Sequence, residues 1–541
     1  MKTRWKFLIG IGAFLLLAIT SAWLTAHHQP QNAVEEYKQF LRAHGEKLTV
    51  DELLPPRPSP ESNSMTAVQN AFALFGSSSE NIPAAMKMVS PGRAMVGHIQ
   101  PLACGYDFTN SWDDFSVEVA ANLPAIELLR EVLERPKLDF QLEYKKGSTL
   151  LLPHLAQLKK ATQKLDAAAI CQLHNGESGL AATNILIMLA LVHKNAEEGL
   201  VISHLVRIAM ANIAVAPTWE LLQSSNVSDA QLAAVQRGWS ELNFISDATN
   251  VFALERAWGI NEIQKMRASR EKIFDLVVSG ASSSSLAWPS DWETLTEKPR
   301  YAIGEMMWRS SWSYTDELRT MKSEQIVLET LRRMQANRSQ FYKPDCDLMV
   351  KQLSSLGITN AGEAVFRSLK IPDLAEIFGD QWIANTVVKT VRMEAAKSVV
   401  ITAIALKRFQ LKHSRWPETL NELSPEFLPA VTIDIYDGKP LKYHPNVDGT
   451  YLLYCVGEDG MDNGGFPTTS LEIKGMFWQY QRARDWVWPQ PATAEEIKDY
   501  YDPEAAKAAA AAVTESSAIA GTPSDPATGL PLPPPAPAGT N

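Results

Sequence analysis

No two of the four cysteines, Cys104, Cys171, Cys346 and Cys455, lie at a metal-ligand or redox spacing from one another. A CxxC pair or a Cys/His set is what a structural zinc site or a dithiol centre requires, so both are excluded as readings of this pattern. Four widely separated cysteines are also too few for a disulfide framework, and free thiols, mostly buried, are expected. The chain equally lacks a phosphate-binding Gly-rich loop, a GxGxxG turn after a strand, an HExxH helix and a GxSxG elbow. It has no excess of basic residues: the net charge is −10, with no basic stripe interleaved with aromatics. A nucleic-acid partner is therefore not expected. Long apolar runs are scarce as well, with one exception.

That exception is "MKTRWKFLIGIGAFLLLAITSAWLTAHHQP". Lys2, Arg4 and Lys6 precede about 18 apolar residues, Phe7 to Leu24, which just suffices to cross a bilayer as a helix. The positive flank places the N-terminus in the cytoplasm and the bulk of the chain outside it. The alternative is a signal segment cut after Ala22 or Ala26; the length of the run favours the retained anchor. The expected location is the bacterial inner membrane, single-pass, with the rest periplasmic.

The remainder divides by texture. Residues 31–65 read as an amphipathic helix, "VEEYKQFLRAHGEKLTVDELL", followed by the spacer "PPRPSPESNS". Residues 66–370 are expected to be helical, an irregular α/α bundle or a tetratricopeptide-like array. "LLPHLAQLKKATQKLDAAAICQLHNG", "LAATNILIMLALVHKN" and "EEGLVISHLVRIAMANIAVAPTWELLQ" carry apolar residues at three- and four-residue intervals and are joined by short turns. The middle one, with about a dozen apolar residues, reads as too short to span a membrane. Residues 371–500 read as a smaller α+β unit: a long helix up to Pro417, then the strand candidates "AVTIDIYDGKPLKYHP", "GTYLLYCVG" and "LEIKGMFWQY". Residues 501–541 are Ala- and Pro-rich with few large apolar residues, and a disordered tail is expected.

The α+β unit carries a resemblance. A helix ending in "HSRWP" (His413 to Pro417), a second short helix ending in "EFLP", the turn "DIYDGKP" and the strand and loop "GTYLLYCVGEDGMDNGG" resemble, in order, the extracytoplasmic part of the type II secretion major pseudopilins. The match covers about residues 390–466. Each piece has a local cause: Pro417 disfavours helix in Trp416, Asp437-Gly438 makes a tight turn, and Tyr451 to Val456 alternate between two faces. One face is expected to meet the long helix and the other to face outward. The resemblance implies calcium on the loop after the last strand, with Glu458, Asp459, Asp462 and Asn463 as oxygen donors and backbone carbonyls completing the shell. The alternative is an acidic turn closed by Gly460, Gly464 and Gly465. The chain departs from that family at its N-terminal segment, which holds no glutamate and lies far from the matching helix. The whole chain is similar to uncharacterised bacterial envelope proteins.

Chemistry-bearing residues outside that loop are isolated. Glu255 and Arg256 sit inside the apolar helical stretch "ALERAWG", where an acid–arginine pair is the expected structural role. Asp113 and Asp114 in "NSWDDF" read as the start of a helix. No catalytic residue is assigned, and a non-enzymatic role is favoured. The chain is expected to be an envelope-anchored binding or scaffolding protein with a protein partner in the cell envelope. The alternative is an extracytoplasmic hydrolase or lyase with its site in the helical domain, which a pocket lined by two or more acids around Glu255 would favour.

Overall fold

The computed structural model describes residues 29–75, 85–90, 92–103, 111–269, 305–306, 308–337, 340–356, 380–465 and 485–501. The expected membrane segment, the Ile371 boundary, the strand candidate at 471–480, the tail beyond Tyr501 and Cys104 lie outside these residues. The described chain is mostly helical with two small sheets, as its periodicity predicts.

Helix α1 spans 29–43 and is followed by α2 (Val50–Leu53) and α3 (Met65–Leu74). The Pro-rich stretch between α2 and α3 is no free spacer. Arg57 Nη2 donates to Leu142 O at 2.8 Å, and Asn63 exchanges hydrogen bonds with Asp139 O and N, both 2.9 Å. Prolines withhold donors of their own, so side chains supply these bonds, and at the end of the segment Ser64 N donates to Lys137 O while Lys137 N donates to Ser62 O. A hairpin of β1 (Lys87–Ser90) and β2 (Arg93–Met95) comes next. Helix α4 (Trp112–Leu129) begins where the acid pair predicts, with the Ser111 side chain accepting from Asp114 N as its cap. A short α5 (Glu131–Glu134) follows.

The centre is a run of helices: α6 (Pro153–His174), α7 (Ser178–Lys194), α8 (Val201–Gln223), α9 (Asp229–Ser240) and α10 (Phe244–Ala268). They pack mostly on near neighbours in the chain: α6 on α7 and α8, α7 on α8 and α9, α8 on α10. Between α7 and α8 the chain reverses at Gly199, whose φ of +69° suits glycine. The stretches Ser178–Glu198 and Val201–Gln223 are long and apolar enough to cross a membrane. The first is thus longer than its sequence suggests. Both have more than half of their apolar windows, 56% and 72%, buried against neighbouring helices. Helices α11 (Ser313–Ala336) and α12 (Lys343–Ser354) follow.

The long helix α13 (Asp380–His413) does not stand apart. It packs on α8, α9, α10, α11 and α12, and Val387, Val391, Val399, Val400, Ile404 and Leu406 are at most 1% exposed. Burial of each such side chain contributes roughly 1.5–3 kcal/mol. Helix α13 ends at His413, with Ser414 at φ +55°, before Trp416-Pro417 as expected. Strands β3 (Lys442–Pro445), β4 (Tyr451–Cys455) and β5 (Trp486–Val487) form an antiparallel sheet. One hydrophobic core runs without a break from Val68 to Trp488, across the expected boundary between helical and α+β parts.

The alternation in β4 is only partly as expected. Leu453 and Cys455 are buried, but so are Tyr454 and Val456. The reason is the last described segment, which pairs β5 with β4 and then crosses to the first hairpin. There β6 (Gln490–Pro491) adds parallel to β2, and α14 (Ala494–Tyr501) packs on β1. Trp219 Nε1 on α8 donates to Pro489 O at 2.8 Å, fixing this strap to the helical core. Cys171, Cys346 and Cys455 are free thiols, the first and last buried.

Candidate functional site

The acidic loop is shaped by its own backbone. Gly460 N donates to Gly457 O, and Gly460 holds φ +70°, so the chain turns sharply after β4. The four predicted donors do not all face one point. Glu458 turns back to α13, where Arg392 Nε donates to its Oε1 at 2.8 Å. Asp459 Oδ1 accepts from Met461 N at 3.0 Å. Asp462 Oδ1 accepts from Tyr454 Oη and Gly464 N, both at 2.9 Å. The Asn463 amide donates to Met461 O.

A fifth group, Asp485, was not visible as part of this loop. It is fully buried at the head of β5 and accepts from Asn463 N and Gly465 N at 3.0 and 2.7 Å. Burial pushes its pKa up, and the charges of Asp462 and Asp459 add to that push. Only its spacing from the loop, 22 residues from Asn463, hid it from sequence reading. Beneath the loop, buried Asp434 accepts from Tyr436 N at 2.9 Å and Val456 N at 2.7 Å. Burial raises its pKa to about 6 despite those bonds. Among the described residues no group of three or more His, Cys, Asp or Glu side chains is arranged to hold a metal ion. An ion on this loop would therefore draw much of its shell from backbone carbonyls, which calcium accepts.

Glu255 does not pair with the arginine beside it. Successive helical residues point about 100° apart, so Arg256 faces a different neighbour. That neighbour is Glu46, just after α1: Arg256 Nη2 donates to its Oε2 at 2.8 Å, Arg332 also binds it, and Gln325 donates at 3.2 Å. Burial alone would raise the Glu46 pKa, but Arg332 and Arg256 hold it down at about 2. Glu255 is partly buried beside the Leu142, Leu200 and Leu254 cluster. Burial raises it to about 7, with the Val201 N–H acting against that rise.

A second buried acid cluster lies between α6, α8 and the turn after β2. Glu220 is completely buried and accepts from Met86 N at 2.9 Å, Gly97 N at 2.8 Å and His98 Nδ1 at 2.7 Å. Asp166 is buried close by, with Oδ1 lacking a hydrogen-bond partner. Burial pushes its carboxyl far up, and the charge of Glu220 adds to that. The signal for this pair was present in the sequence. Asp166 in "KLDAAAI" and Glu220 in "TWELLQ" are lone acids in apolar helical runs, the same pattern that singled out Glu255.

Comparison of the chain with protein-family models, with curated proteins and with solved structures finds no match.

Proposed function

We propose that the chain is a binding or scaffolding protein of the bacterial envelope, anchored in the inner membrane through Phe7–Leu24, with its folded body outside the cytoplasm. The observation that carries this reading is the helical array. Helices α6, α7 and α8 pack on one another, α9 packs on α7 and α10 packs on α8, and a layered helical stack of this kind gives stacked-helix proteins extended faces for partners. The expected partner is another envelope protein. A photo-activatable residue at Val117, Leu151 or Ile202, three exposed apolar positions on or beside these helices, tests it in intact cells. A discrete adduct from one position, lost when a neighbouring surface residue is made charged, is the expected result. No adduct from any position overturns the reading.

The C-terminal unit serves in this proposal as a pseudopilin-like docking surface stiffened by calcium. Asp459 and Asp462 engage the loop through Oδ1, and their charges act on the buried Asp485, a repulsion that a cation relieves. Glu458, held by Arg392, fits the ligand set less well than Asp485 does. Melting the protein with calcium and with a chelator checks this. At a hundred times its dissociation constant a bound ion stabilises by roughly 2.7 kcal/mol. The gain should vanish in an Asp459→Ala, Asp462→Ala variant. No shift in either protein leaves an acidic turn closed by its own hydrogen bonds.

One observation favours the hydrolase or lyase reading. Two buried carboxyls, Asp166 and Glu220, lie together beside His98, one of them with an unpartnered oxygen, and such pairs suit general acid–base work. They are not at Glu255, where the enzyme reading was expected to find them. A hydrolytic activity on envelope polymers that Asp166→Asn abolishes, with the fold intact, would replace the binding reading.

A further inference from the structure

We infer that the body is held on the membrane in a fixed orientation, with the end formed by the start of α1, the start of α11 and the finish of α10 facing the bilayer. This rests on the anchor proposed above. Five residue steps separate Leu24 from Gln29, where α1 begins, and five steps of extended chain reach at most about 18 Å. The start of α1 therefore lies within that distance of the hydrocarbon edge.

Helix α1 cannot swing away from the body, because it is docked along its length. Gln31 Nε2 donates to Tyr314 Oη at 2.9 Å. Lys38 Nζ lies 2.7 Å from Glu317, a carboxylate with no exposed surface. Lys322 sits over the Tyr37 ring at 5.7 Å. Beyond the helix, Glu46 closes the contact on Arg256, Gln325 and Arg332. Val34, Leu41 and Leu48 bury against Ile260 and Met321.

These contacts also give the directions. Gln31 meets Tyr314 and Glu46 meets Gln325, so α1 and α11 run the same way. Helix α10 runs the opposite way, since Arg267 donates to Ser313 and stacks at 3.6 Å on Tyr314 while Arg256 reaches Glu46. Tyr314 and Arg267 thus share the membrane-facing end with Gln31, and Arg309 adds Glu305 and its neighbour Met306 by bonding Met266 O. The far end of α10 lies 23 residues from Arg267, about 35 Å away at 1.5 Å per residue. There Phe244 N donates to Glu394 and Lys397 donates to Leu242 O. Two residues before Glu394 on α13, Arg392 holds Glu458. The acidic loop, with exposed Met461, belongs to the end away from the membrane.

The full chain tests this in vesicles of phosphatidylcholine and phosphatidylglycerol containing a nitroxide-headgroup lipid. A fluorophore is attached at Met306→Cys or Met461→Cys, both exposed positions, with labelling of the parent chain subtracted. The expected result is several-fold stronger quenching at position 306. A flexible Gly/Ser insert of twenty residues between His28 and Gln29, adding about 25 Å of mean reach, should reduce that ratio toward one. Equal quenching at both positions in a chain that stays with the vesicles overturns the orientation and leaves the anchor standing. A chain recovered from cells without Phe7–Leu24 overturns both.

Discussion

Glu46 and Glu255 are both glutamates in the body of the protein, and their surroundings drive them in opposite directions. Glu46 is held at about 2, below its ordinary 4.5, by Arg332 and Arg256 acting against burial. Its folded form binds fewer protons than its unfolded form, so its contribution is complete above about pH 4.5 and is lost as pH falls toward 2. Glu255 is raised to about 7 by burial. Its contribution is complete below about pH 4.5 and is lost as pH rises through 7. Glu46→Ala should cost roughly 3–5 kcal/mol near neutral pH, because Arg256 is left buried without its carboxylate; urea unfolding measures it. Glu255→Gln keeps an acceptor for Val201 N and removes the charge. Its melting temperature should match the parent at pH 5 and exceed it at pH 8. The gain should be on the order of 2 kcal/mol, allowing for partial exposure of the site.

Among the elements, the β1–β2 hairpin depends most on a single side chain from elsewhere. Glu220 reaches from α8 to three backbone N–H groups, of Met86, Gly97 and His98, and to the His98 ring. Glu220→Ala strands those donors in the interior, where each unsatisfied group costs about 1–3 kcal/mol. Hydrogen exchange should then accelerate over residues 86–98 while α7 keeps its protection. Uniform protection in the variant would show that β6 and α14 suffice to hold the hairpin. The helices were legible because capping, periodicity and glycine turns are local: Ser111, Gly199 and Trp416-Pro417 mark boundaries where the sequence places them. The partners of Glu220, Glu46 and Asp485 were not, because 122, 210 and 22 residues separate each acid from one of its donors. A lone acid in an apolar helix marks a buried carboxyl without saying whether donors meet it, as they do Glu220, or leave an oxygen bare, as in Asp166.

At the scale of the whole molecule, the texture of the sequence changes near residue 371, and one core joins described residues on both sides of that point, from Val68 to Trp488. Texture changes along the sequence reported a change in local structure, which is not the same as a gap in packing. Helix α13 has apolar residues around much of its circumference because it has helices on several sides, and periodicity alone does not name them. Calorimetry of the folded chain should give one unfolding transition in which the helices and the β3–β5 sheet melt together. Two resolved transitions would restore the division.

The strap gives the chain a timetable. Strand β2 pairs with β6, and Arg93 bonds Pro491, 398 residues later. At 5–20 residues per second, roughly 20–80 s pass between the synthesis of those two partners. Through that interval the outer edge of the first hairpin is an unfilled strand position, open to any extended segment that reaches it. The last described residues therefore act as a closing latch. A chain interrupted before Gln490 would display this open edge, a built-in mark by which an incomplete copy differs from a finished one.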